Sequence, residues 1–346
     1  MPYAKKSPSI RHQINEDMRI AKLLFLLVGI AFLAGCDESN DKDKKVKGKA
    51  SSAPYELLVV ANKEWLKGPY GTEFMEVMHS EVPGLPQVEP NFRTTSVNPH
   101  DFTSTFKVYS NIVTVDIDSK HTEASMKMAR DVYAHPQIIL TISAPSNEAL
   151  VSYCQEHRYE IMDLFVEQEL QRDRDFLRKS NSGKVATAVH QMFGYEVCVP
   201  KEINAIKRGD RFLWASSDTE TSNNYNFVIY TLPYTSTQDL QMEKLIERRD
   251  SVMKTYLEGE KDGQYIQTTP RTALERDIAV GGEYVKEIRG LWRMYGGTMG
   301  GPFVEYARID TTKNVIVVTE GFVYAPEKKK RDLIRRMEAS LRTLKM

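Results

Sequence analysis

Two β-rich runs near the C-terminus, residues 303–310 and 315–324, constrain the fold more than any other stretch. Both are dense in the β-branched and aromatic residues that suit a pleated, half-buried surface, and Asp310 to Asn314 leaves only a turn between them. A parallel pair needs a crossover of about a dozen residues or more, so these two runs must form an antiparallel hairpin. A third run, residues 284–295, precedes them, and residues 195–199, 211–215 and 225–232 read as further strands. Helices are expected over 184–193, over 237–257 with Leu240, Leu245, Val252 and Tyr256 on one side, and after Pro326, where Leu333, Met337, Leu341 and Leu344 keep close to a 3.6-residue period. Strands, helix, strands, helix is an α+β order: an antiparallel sheet with packed helices.

The first half reads as a smaller α/β layer. Strands are expected at 55–61, 111–117 and 137–143, with an extended stretch at 88–97. A short helix is expected over 72–81, its apolar side made by Phe74, Met75, Val77 and Met78. Ser146 is a good N-cap for one long helix running to about Lys179, with Leu150, Cys154, Ile161, Phe165 and Leu170 inward. Asn181-Ser182-Gly183 punctuates the chain, so the two-part division is an N-terminal domain at 55–180 and a C-terminal domain at 184–346. A chain of 346 residues with 41% apolar and 27% charged residues can bury cores of that size. The element order of the second half resembles the Mog1/PsbP-type sandwich, which also closes with a hairpin and a helix. That resemblance implies a fold and no function.

The start of the chain reads as an address. Residues 23–34, LLFLLVGIAFLA, form an apolar run too short for a typical span and suited to a signal peptide, with Arg19 and Lys22 before it. Glu16 and Asp17 fit such a signal poorly, so Met18 is the expected start of translation. The run ends Leu33-Ala34-Gly35-Cys36, which resembles the bacterial lipoprotein lipobox. The resemblance implies a signal peptide over 1–35, cleavage before Cys36, and lipid on the Cys36 thiol and new amine; several acyl chains at one site hold a protein on a membrane where one does so only marginally. The 47 basic and 47 acidic residues would become 42 and 45 after cleavage, so lipid and not a basic patch would hold the chain at the membrane. Residues 36–54 read as a disordered tether. Asp37, Glu38 and Asp41 are similar to the export signal that sends lipoproteins of Bacteroides-type bacteria to the outer face of the outer membrane; under enterobacterial sorting Asp37 would instead favour retention at the inner membrane. A cell-envelope location, lipid-anchored at the outer membrane with its face open, is the expectation.

Two further cysteines, Cys154 and Cys198, lie in a compartment that permits disulfides. A bridge between them would staple the two halves; the alternative is two buried thiols. The charge balance gives no sign of nucleic-acid binding.

Residues 290–303, GLWRMYGGTMGGPF, stand out. Trp292, Arg293 and Tyr295 are residue types enriched at interfaces and sit beside four glycines at 296, 297, 300 and 301. They are either a binding patch or a glycine-rich turn with Trp292 in the core. A dinucleotide loop is excluded, because Pro302 and a strand follow where a helix would be needed. The lipobox, the two-part chain, and this segment running into VEYARID and VIVVTEGFVYAP resemble a family of uncharacterised lipoproteins from Bacteroides-type bacteria, over nearly the whole mature chain. The family resemblance implies the address and the domain, and supplies no catalytic residue.

The sequence offers little chemistry. It has no HExxH and no GxSxG, and no Cys/His spacing that suggests zinc, so no catalytic residue, metal or cofactor is assigned. Cys154 and His157 are within reach on one helix, and Asp116 and Asp118 share a strand face, but packing and solvation explain both. Arg271, Arg276, Arg289 and Arg293 are possible anion contacts. The expected function is a non-enzymatic envelope lipoprotein that binds a protein or glycan partner through Trp292, Arg293 and Tyr295. The alternative is a polysaccharide or cell-wall hydrolase using paired carboxylates drawn from Glu283, Glu287, Glu305 and Glu320.

Overall fold

After a two-residue bridge at Gly48–Lys49 (β1), the strand Glu56–Val60 (β2) is covered on both faces, with Leu57, Leu58 and Val59 all fully buried. A continuous apolar run of this kind is the mark of a parallel sheet sandwiched between layers. The structure, a computed structural model, describes residues 48–217 and 224–346; Cys36, the expected leader and the tether up to residue 47 lie outside the described residues. Two helices follow β2, Lys63–Lys67 (α1) and Pro69–Met78 (α2). The second begins earlier than the sequence suggests because Pro69, which needs no N–H partner, sits in its first turn. Then come Arg93–Val97 (β3), Asn111–Ile117 (β4), Ser125–Arg130 (β5), Ala134–His135 (β6) and Ile138–Ala144 (β7). The five-stranded sheet runs β3-β2-β4-β7-β5, parallel except for β5 at its edge, while β6 pairs with β1.

The expected long helix is two helices, Asn147–Glu156 (α3) and Arg158–Lys179 (α4), broken at His157. His157 leaves helical geometry and lays its ring on Tyr153, with centroids 4.3 Å apart. Leu57, Val59, Val113 and Leu140 on one sheet face meet Phe74, Leu150, Ile161 and Phe165 from the helices. The other face, Leu58, Val60, Ile112 and Ile139, is covered by Phe102, Phe106 and Tyr109 from the loop between β3 and β4.

The second half contains Gly183–Phe193 (α5), Ile203–Gly209 (β8), Phe212–Ser217 (β9), Asn224–Pro233 (β10), Met242–Tyr256 (α6), Tyr265–Thr268 (β11), Leu274–Val280 (β12), Glu283–Tyr295 (β13), Gly300–Asp310 (β14), Val315–Tyr324 (β15) and Arg331–Leu341 (α7). Its eight-stranded sheet runs β11-β13-β14-β15-β10-β9-β8, with β12 also on β13, and every pairing is antiparallel. The fold is α+β. The hairpin between β14 and β15 pairs Asp310 with Val315, and Asp310 Oδ1 accepts from the Thr312 and Lys313 amides, which closes the turn. Residues 195–199 join neither sheet as a strand and make a single isolated bridge, Glu196 to Lys345 near the C-terminus. Strands β5, β8, β11 and β12, with the two-residue β1 and β6, are additions to the sequence reading.

Alternation divides this sheet sharply. Val304, Tyr306, Val317, Phe227 and Ile229 pack under α5 and α7. On the other face Phe303, Glu305 and Glu320 lie towards α6, whose Arg249 reaches Phe303 and Glu320. Helix α7 serves both halves of the chain: Ile334, Met337 and Leu341 enter the C-terminal core and Ala339 the N-terminal one. Glu338, fully buried, accepts from Arg335 and pairs with Arg289, each at 2.7 Å, while Arg335 also donates to Asn91 at 2.6 Å. The described residues accordingly form one compact unit. No helix among the described residues is long and apolar enough to cross a membrane.

Candidate binding cleft beside the glycine-rich hairpin

Strands β13 and β14 are joined by a tight turn in which Met294 N–H donates to Met299 O (2.8 Å) and Gly296 takes a positive φ of 70°. Gly301 stands opposite Trp292. A Cβ at Gly301 would fall 2.1 Å from the Val323 carbonyl oxygen, so no side chain fits there. The indole of Trp292 crosses that space and donates to the same carbonyl at 3.2 Å, edge-on to Phe322. Trp292 is 2% exposed. The expected patch of Trp292, Arg293 and Tyr295 is therefore corrected: side chains alternate along a strand, so 293 and 295 share a face from which 292 is excluded. Arg293 and Tyr295 are exposed, and Trp292 is core.

Arg293 and Tyr295 line a cleft of about 720 Å³ together with Gln267, Met299, Gln87 and Lys330. That volume is within the usual range for a small-ligand site. Two glutamines set its electrostatics. The Gln267 amide is assigned with its oxygen towards Arg293, accepting from Nε and Nη2, both at 2.8 Å. Gln87 Oε1 accepts from Lys330 Nζ at 3.0 Å, and the Lys328 carbonyl accepts from the same ammonium at 2.7 Å. Tyr295 stacks on Tyr265 with centroids 4.9 Å apart and remains half exposed. Lys330, Gln87 and Gln267 come from three distant segments, and no local motif marks them.

The candidate carboxylates part company. Glu283 is exposed at the start of β13, whereas Glu305 and Glu320 sit directly opposite one another on β14 and β15 with no exposed surface. Arg249 forks Glu320 through Nε (2.8 Å) and Nη2 (2.7 Å) and stacks on Phe303 at 4.1 Å. Glu305 Oε2 accepts from Tyr230 at 3.2 Å. Burial first, and the Glu320 charge second, push the Glu305 carboxyl up to about 8. Neither carboxylate lines the cleft.

Cys154 and Cys198 are both free, so the disulfide expectation is corrected. Cys154 points into the core under α3, where burial pushes its thiol up to about 12, and Cys198 Sγ accepts from Asn181 Nδ2 at 3.5 Å. His157 bonds Glu160, not Cys154. Asp116 holds His121 at 3.0 Å, and among the described residues no group of three or more His, Cys, Asp or Glu is placed to hold a metal ion. Arg276 pairs with Asp163, and Arg289 with Glu287 and Glu338. Arg271 lies in a turn at φ 61°.

Residues 182–343 match the family model described as a domain of unknown function, DUF4837. Residues 50–177 match a second domain of unknown function, DUF8532. No curated protein matches the chain. Among solved structures, a Bacteroides thetaiotaomicron protein is 11% identical over 44% of this chain and 44% of its own, with a TM-score of 0.24. The chain thus spans less than half the length of that protein. The human StarD13 lipid transfer and protein localization domain is 8% identical over 47% of this chain and 95% of its own, with a TM-score of 0.21. Likeness at that level carries no argument about fold or function.

Proposed function

We propose that the chain is an envelope lipoprotein, anchored at the outer membrane through lipid on Cys36, whose folded part is a non-enzymatic module that binds a glycan or protein partner in the cleft beside the glycine-rich hairpin. The observation that carries this reading is the composition of the cleft wall. It offers cations, amides, hydroxyls and aromatic rings, and no carboxylate, histidine, cysteine or serine lines it among the described residues. Such a wall suits recognition and orientation, and it lacks the carboxylate, histidine, cysteine and serine groups most used for general acid–base and nucleophilic chemistry. The anchor is tested by Cys36→Ala, which should move the protein from the detergent phase to the aqueous phase. The cleft is tested with the full chain carrying Tyr295→Ala or Met299→Ser, presented to immobilised cell wall, surface polysaccharide and outer-membrane proteins. Loss of one specific capture with an unchanged melting curve is the expected result. Capture that survives both substitutions sets the reading aside.

One observation favours a hydrolase as the second reading: Glu305 and Glu320 are adjacent, and one of them holds its proton near neutral pH. Their complete burial beneath Arg249 leaves a polysaccharide no route to them. Glu305→Gln or Glu320→Gln abolishing an activity on an envelope glycan would restore this reading.

A further inference from the structure

The cleft's two cations are held by glutamines, and that choice says what the cleft binds. Elsewhere in the molecule well-buried cations are neutralised: Arg249 by Glu320, Arg289 by Glu287 and Glu338, Lys286 by Glu275 and Asp277. Arg308, an exception, turns to the Leu341 carbonyl at the end of α7. Lys330 is only 5% exposed, yet its ammonium has two neutral acceptors, Gln87 and the Lys328 carbonyl, and no carboxylate within ion-pair reach among the described residues. The nearby Glu89 carboxylate is taken by the backbone amides of Lys330 and Arg331, at 2.6 and 3.2 Å. Arg293 is likewise held by the neutral Gln267, with no ion-pair partner among the described residues. A glutamine fixes the direction of a cation without cancelling its charge. An ammonium keeps three donors and a guanidinium five, so N–H groups on both remain for a ligand. A buried charge without a counter-ion is costly, and an anion bound beside it removes that cost.

We propose that the cleft is a site for an acidic glycan. This rests on the reading that the cleft is the binding site. A sugar carboxylate would be taken by Lys330 Nζ and the end-on N–H pair of Arg293. The half-exposed Tyr295 ring, backed by Tyr265, offers a flat apolar surface to the sugar ring, and Thr269 and the turn backbone offer partners to its hydroxyls. An acidic peptide would use the same cations but leave the tyrosine face without a matching ring.

The test is calorimetric titration of the full chain in detergent with oligogalacturonate, hyaluronan fragments and sialyllactose, against maltotriose and galactotriose as neutral probes and a glutamate oligomer as the acidic peptide. Binding of at least one acidic glycan, about tenfold or more tighter than any neutral probe and weakened by salt, is expected. Gln87→Glu and Gln267→Glu keep side-chain size and supply an internal counter-ion, so each should weaken that binding about tenfold without lowering the melting temperature. Equal binding of neutral sugars, tighter binding of the glutamate oligomer, indifference to both substitutions, or no acidic glycan bound at all would each overturn the proposal. If Tyr295→Ala still abolishes envelope capture in those cases, only the charge assignment falls. If it does not, the cleft itself is not the site.

Discussion

Glu305 and Glu320 face each other across β14 and β15 with no exposed surface, and the arginine beside them is committed to Glu320. Arg249 forks Glu320, and Glu305 is left with a hydroxyl from Tyr230. Two carboxylates and one arginine this close favour one shared proton, and it resides on Glu305, whose carboxyl is pushed up to about 8.

A pH dependence follows. An acid whose folded pKa is raised contributes stability that is fully present below its unfolded value, about 4.3, and lost as pH rises through the folded value, here about 8. The unfolding free energy of the wild type, from urea titrations, should fall between pH 5 and pH 9 by an amount on the order of a few kcal/mol. Glu305→Gln, which cannot ionise, should flatten that fall. Identical profiles for the two proteins would show that Glu305 is not the proton carrier.

Arg249 has no exposed surface and contacts Glu320, Asp250, Thr268 and Phe303. Arg249→Leu should cost about 3–5 kcal/mol, because it strands a buried carboxylate. Adding Glu320→Leu should recover much of that loss, while Arg249→Lys should not, since an ammonium cannot reproduce the fork. Denaturant titrations of the wild type, Arg249→Leu, Glu320→Leu and the double variant form a double-mutant cycle, and a coupling energy near zero would contradict the geometry.

Gly301→Ala places a methyl where the Val323 carbonyl stands. The strands must part or the Trp292 indole must lose its bond, so destabilisation of about 3 kcal/mol or more is expected. Trp292→Phe removes only the N–H and part of the ring, and should cost about 1–2 kcal/mol. Thermal melts would rank the two; a milder effect for Gly301→Ala would mean that the close approach is not tight.

The thiols give a rapid check on chain connectivity. Cys154, buried with its thiol pushed up to about 12, should resist alkylation in the native state, and Cys198 should react slowly. Both should label fully on unfolding without reductant. A mass consistent with two missing labels would restore the bridge.

Much of the C-terminal architecture is legible in the residues because its strands carry their own propensity: 303–310 and 315–324 are β-rich, and Asp310 builds its own turn. Strands β5 and β12, SMKMAR and LERDIAV, are not legible, since their pairing partners β7 and β13 make them strands. The glycine run points to the cleft, and Arg293 and Tyr295 with it. Trip-wire parity was available too, because residue 292 could not share a face with 293 and 295 on one strand. Lys330 reads in sequence as one of three consecutive lysines, and only the tertiary fold sets Gln87 beside it.

Helix α7 supplies side chains to the cores of both halves, and it is made after every strand of both sheets. A growing chain therefore cannot complete either hydrophobic interior until residues 331–341 have emerged. Up to that moment the polypeptide is held back from its final state by a missing part.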